Sequence, residues 1–186
     1  PAPLVVAVDG PSGSGKSSVS KAVARRLGAA YLDTGAMYRA VAWHCLHEGV
    51  DLADAEAVAA AAVAMDLDQS TDPDVEAVRV GGTDVTEAIR GPEVTDTVST
   101  VAVVIPVREE LHRRQRAAIA AAGRMVAEGR DITTVVAHDA PSCASRQTVK
   151  NVLTERARGP IARWLEVYGR VPMFFYVVHI FVAHAV

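Results

Sequence analysis

Residues 10–17 read Gly10-Pro11-Ser12-Gly13-Ser14-Gly15-Lys16-Ser17 and match the pattern G-x-x-x-x-G-K-[ST] in full. These residue types at this spacing suit one task, the cradling of a chain of phosphates. Glycines at 10, 13 and 15 let backbone N–H groups approach an anion with no side chain in the way. The loop leads into a predicted helix, whose N-terminus adds further N–H groups and a positive dipole end. Lys16 supplies a mobile charge for the β- and γ-phosphates, and Ser17 supplies a hydroxyl that can ligate Mg²⁺. The alternative is a glycine-rich turn that binds nothing, and the strand before it and helix after it argue against that. By itself the pattern does not separate a kinase from an ATPase, a GTPase or a motor.

The elements that must position this loop follow from hydrophobic patterning. LVVAVD at 4–9 is an apolar, β-branched run suited to a strand buried on both faces. A helix is predicted over 16–27 with Gly28 as its C-cap, then a strand at 30–32 and a helix over 34–48 that stops at Gly49. The alanine-rich stretch 54–65 reads as a third helix. Residues 66–91 are acidic and alternate polar with apolar, which predicts short antiparallel strands turning at Gly81-Gly82. Helices over 92–104 and 106–122 each open near a proline. A strand at 124–128 then leads into Gly129-Arg130-Asp131. Strands alternating with helices imply an α/β fold with a parallel sheet, into which 66–104 is inserted as a subdomain. After Ala140 the pattern weakens; a strand near 149–153 and a helix near 161–168 are the readings it allows.

The whole chain sets bounds. Its 186 residues suit one domain, and 50% hydrophobic content supports a sizeable core. A formal net charge of −3 argues against a broad nucleic-acid-binding surface. Cys45 and Cys143 have no metal-type spacing and fit a reduced, cytoplasmic background. No secretory signal is expected, because the apolar run at 4–8 is short and meets Asp9 at once. Residues 171–186 are strongly apolar but contain His179 and His184. They fall short of the roughly 20 residues a spanning helix needs, so a buried strand or helix is expected and no membrane association.

Three further segments narrow the class. Leu32-Asp33-Thr34-Gly35-Ala36-Met37-Tyr38-Arg39 follows the second strand, Glu128-Gly129-Arg130-Asp131-Ile132 spans the end of the later one, and Val107-Arg108-Glu109-Glu110-Leu111-His112-Arg113-Arg114-Gln115-Arg116 lies between. An acceptor monophosphate is a dianion and needs fixed cations; arginine offers a planar fork that binds it bidentately. Arg39 and Arg130 both sit just beyond predicted strands, at the edge where ligands of parallel sheets gather. Thr34, Arg108 and Asp131 offer donors and acceptors for a pyrimidine edge. With VDGPSGSGKSS, these segments resemble the bacterial cytidylate kinase family over roughly residues 4–136.

The resemblance implies a P-loop nucleoside monophosphate kinase fold and the reaction ATP + (d)CMP → ADP + (d)CDP, with ATP and Mg²⁺ as cofactor and metal. It implies ATP binding by Gly10, Pro11, Ser12, Gly13, Ser14, Gly15, Lys16, Ser17 and Ser18, with Ser17 on the metal. Arg39 and Arg130 would hold the acceptor phosphate, and Thr34, Arg108 and Asp131 would meet the cytosine. Ser99 would reach the sugar and Tyr38 would line the acceptor pocket. Lys16, Arg130 and Asp131 would be the catalytic set, and Asp33 is placed to order metal-bound water. The 66–104 insertion would close over the monophosphate, and the protein would be a cytoplasmic monomer. Each residue also has a plainer reading: Arg130–Asp131 as a local ion pair, Tyr38 as a core aromatic, Ser99 as an ordinary helix serine. Arg113, Arg114 and Arg116 read as a solvated helix face, and His44, His47 and His112 carry no role.

The resemblance has limits. Thr133 stands where the family pattern has glycine, and His138 where it has proline. From 141 to 186 the sequence shows neither the arginine-rich lid nor the arginine-bearing helix that the family implies. A divergent ending, a shifted reading frame and a catalytically impaired, nucleotide-binding relative would each account for that tail.

Overall fold

A computed structural model describes residues 4–9, 15–129 and 132. Three parallel strands form its main sheet: β1 (Leu4–Asp9), β2 (Ala30–Asp33) and β6 (Arg124–Gly129), in the order β1-β6-β2. Among the described residues, the last strand in sequence is therefore the central one. Leu4 lies beside Arg124 and Asp9 beside Gly129, while Ala30 lies beside Met125 and Asp33 beside Glu128. All three strands end together, so the segments after Asp9, Asp33 and Gly129 leave from one edge.

Side-chain alternation assigns the faces. Val6, Val8, Tyr31 and Val126 pack on one face with Ala24 of α1 (Lys16–Leu27). Ala7, Leu32, Met125 and Ala127 point the other way, into a larger core with α2 (Thr34–His47), α3 (Ala55–Ala64), α4 (Pro92–Ala102) and α5 (Ile105–Ala122). The result is helix, sheet and helix in three layers. Gly28, in a left-handed conformation, ends α1 as its residue type predicts.

The middle of the chain folds as patterned. β3 (Leu67–Gln69), β4 (Val78–Val80) and β5 (Thr83–Asp84) form a small antiparallel sheet. Gly81 and Gly82 join β4 to β5 with φ of 55° and 78°, a two-residue turn that needs positive φ at both positions. A single 3₁₀ turn at Ala88–Arg90, which the patterning did not indicate, leads into α4. The loop between β3 and β4 is tied to α1 and β2. Lys21 pairs with Glu76 (2.7 Å), Arg25 with Asp74 (2.6 Å), and the Tyr31 N–H donates to Thr71 O (2.8 Å).

One reading of the charged face on α5 is corrected. Arg113 is exposed, but Arg114 is half-buried and donates to Met65 O (2.8 Å), Ala62 O (3.1 Å) and Val63 O (3.1 Å). These are the carbonyls that the end of α3 leaves unpaired. Arg114 therefore caps α3 and is not part of a solvated face. Hydrogen bonds from Arg113 and Arg114 pull the Glu110 carboxyl down to about 2. Arg114→Ala should cost about 2–3 kcal/mol in urea unfolding, since several carbonyls and Glu110 lose a charged donor. Arg113→Ala should leave the midpoint nearly unmoved; equal effects of the two would contradict the capping role.

The tail readings (the strand near 149–153, the helix near 161–168 and the apolar 171–186) lie outside the described residues. Among the described residues no helix is long and apolar enough to cross a membrane.

Candidate active site at the carboxyl edge of the sheet

The edge where the three strands end brings together residues far apart in sequence. Gly15 precedes α1 at φ 78°, in the left-handed region that favours glycine, and leads directly to Lys16. The first N–H groups of α1 point back along its axis toward the glycine-rich loop. Ser17 and Ser18, in the first turn, are exposed. Gly10, Pro11, Ser12, Gly13 and Ser14 lie outside the described residues, as do Arg130 and Asp131.

Ser17 Oγ donates to Glu128 Oε1 at 2.6 Å across 111 residues of sequence. The Tyr31 hydroxyl donates to the same oxygen at 2.9 Å. Glu128 is 3% exposed, and its other oxygen, Oε2, is buried with no hydrogen-bond partner among the described residues. Burial pushes its carboxyl up, opposed by the Ser17 hydrogen bond; Asp33 raises it further, while Tyr31 and the Lys16 charge draw it down. A carboxylate in this state favours an additional cation. Ser17 Oγ and the Glu128 oxygens are a hard, all-oxygen donor set with one open site, which fits Mg²⁺ or a water bound to it.

Glu128 is the residue that motif reading missed. It ended a predicted strand and received no role. The signal was a lone carboxylate closing the run Met125-Val126-Ala127, where an apolar residue would continue the core. Parity explains its placement: Val126 and Glu128 are two apart, so Glu128 points to the α1 face, toward Ser17.

The other sites singled out from sequence take varied positions. Thr34 is buried, and its hydroxyl donates to Glu128 O at 2.7 Å. It can offer a ligand lone pairs but not this proton. Asp33 Oδ1 caps α2 by accepting from Ala36 N at 3.1 Å. Tyr38 is half-buried and packs against the larger core. Arg39 reaches from α2 to Ile89 O (3.4 Å) and Thr95 Oγ1 (3.1 Å), joining α2 to the 3₁₀ turn and to α4. Ser99 is exposed on α4, and Arg108 is half-buried in the first turn of α5. Of the histidines, His47 stacks on Trp43 at 4.7 Å between ring centroids.

The family model described as cytidylate kinase matches residues 6–154. The chain belongs to the cytidylate kinase family. Curated cytidylate kinases from Rhodococcus opacus, Corynebacterium glutamicum and Streptomyces avermitilis are 58%, 54% and 49% identical over 137, 138 and 138 residues. Each match covers 74% of this chain and 60% of the relative, so the chain spans about 60% of the length of these relatives. The cytidylate kinase match runs beyond Ala140, where motif reading could no longer align the sequence. It lends no support to the catalytically impaired alternative, which rested on the residues after Ala140. A parallel sheet between helices is the architecture expected of a cytidylate kinase of the P-loop class.

Proposed function

We propose that the protein is an ATP-dependent (d)CMP kinase that transfers the γ-phosphoryl group to CMP or dCMP. The observation that carries this reading is the meeting of Ser17 and Glu128 at the edge from which the 10–18 loop, the Asp33–Arg39 segment and the Gly129–Asp131 segment all depart. The buried Glu128 carboxylate thus meets the first turn of α1 at the carboxyl edge of the sheet. The names and identities of the relatives support the pyrimidine monophosphate as acceptor.

The acceptor phosphate is already ionised near neutral pH, so no strong general base is needed. Alignment and charge neutralisation supply the rate. Residues 10–18 hold ATP, with Lys16 at the β- and γ-phosphates. Ser17 and Glu128 are the groups that would hold Mg²⁺ or its bound water, and the cation would supply neutralisation of phosphate charge. Arg39 and Arg130 hold the acceptor phosphate; Thr34, Arg108 and Asp131 meet the base; Ser99 and Tyr38 complete the acceptor pocket. Lys16, Arg130 and Asp131 form the catalytic set. The 66–104 insertion closes over the monophosphate, which keeps competing water from the γ-phosphate.

ADP release measured with CMP, dCMP, UMP, AMP and GMP tests this reading. CMP or dCMP should exceed AMP and GMP by at least about 100-fold in kcat/KM, as a site built to hydrogen-bond one base should require. Equal stimulation by all five, or none, would overturn it.

A further inference from the structure

Tyr31 is 6% exposed, on the strand next to Glu128, and lies on the α1 face of the sheet. Its hydroxyl donates to Glu128 Oε1, the oxygen that also receives Ser17. Lys21 Nζ sits 5.5 Å from its ring centroid, and its backbone N–H is bound to Thr71 O. The residue is thus held at its backbone, its ring face and its hydroxyl.

A buried carboxylate that meets a cation must be held in one rotamer, because each alternative orientation lowers affinity. Ser17 gives Oε1 one hydrogen bond, and its lone pairs would also face the cation, so that hydroxyl carries two tasks. Tyr31 has no competing ligand role. We propose that Tyr31 is a positioning residue that holds Glu128 Oε1 in place, leaving Oε2 for the shell of the divalent cation that accompanies the nucleotide. This inference rests on the reading of Ser17 and Glu128 as the metal corner of a kinase.

Tyr31→Phe removes the hydroxyl and keeps the ring, its packing against Lys21 and the bond to Thr71. Two measurements on the full chain test it. Manganese binding in the presence of ADP, followed by the EPR signal of free Mn²⁺, needs no turnover. It should weaken about tenfold, the usual loss when a partner of a metal-site ligand is removed. In steady-state assays the Mg²⁺ concentration for half-maximal rate should rise by a similar factor, with the KM for CMP nearly unchanged. On a Glu128→Gln background the same substitution should add little further loss, because Tyr31 acts through Glu128. Unchanged Mn²⁺ affinity in Tyr31→Phe, or full additivity with Glu128→Gln, would overturn the proposal. If the parent chain ignores CMP while Tyr31→Phe still weakens Mn²⁺–ADP binding, the kinase reading fails and the role of Tyr31 stands.

Discussion

Lys16→Ala should lower turnover by roughly 10²–10³-fold while the chain remains folded, the usual loss when one preorganised charge donor is removed. Lys16 opens α1 and is only partly buried, so little core packing is lost. Alanine is also the best helix former, so α1 should start where it does now. What disappears is a cation at the start of α1, close enough to Glu128 to draw its carboxyl down. The deficit should lie in kcat more than in the KM for the acceptor, because the charge on the transferring group is spread most widely in the transition state. Single-turnover kinetics, with thermal unfolding followed by circular dichroism, separate the two effects. Near-full activity in a folded variant would remove the phosphate loop from the mechanism.

Gly129→Ala should destabilise the protein by about 2–3 kcal/mol, although its backbone conformation does not demand glycine. A Cβ built on Gly129 would lie 2.2 Å from Thr34 Oγ1, 3.5 Å from Thr34 Cβ and 3.7 Å from Ile132 Cβ. Only the first of these is impossible. Thr34 is β-branched and buried, so it has little freedom to rotate away. Its hydroxyl must abandon Glu128 O, or β6 must shift against β2. Either movement disturbs the corner where Glu128 meets Ser17, so activity should fall with stability. Thr34→Ala removes the clashing oxygen and leaves ordinary contacts. The double variant should therefore be at least about 1 kcal/mol more stable than the sum of the two single changes. Simple additivity in denaturant unfolding would show that the clash is not the cause.

Much of the fold was legible in local signals. Gly81-Gly82 announced a two-residue turn because both positions need positive φ, and Gly28 marked the end of α1 through the left-handed conformation it permits. The strand at 124–128 was visible as an apolar run, but its central position between β1 and β2 was not. Strand order depends on which apolar faces the crossovers bring together, and no single segment carries that information. Arg114 shows the same limit. As text it belonged to a basic helix face together with Arg113 and Arg116, and only the packing of α5 on α3 places it over three open carbonyls.

The G-x-x-x-x-G-K-[ST] motif at 10–17 is what the sequence displayed unaided. A tight anion cradle needs glycine, lysine and serine at fixed short spacing, and short spacing is written directly in the chain. The partner of Ser17 was decided by tertiary structure alone. Glu128 lies 111 residues away, and Tyr31, which shares its oxygen, lies 97 residues from Glu128. They meet because β6 enters between β1 and β2 in a register that sets Glu128 beside Asp33, and because alternation turns Glu128 and Tyr31 to the α1 face. A shift of one residue would turn the carboxylate to the opposite face, away from Ser17.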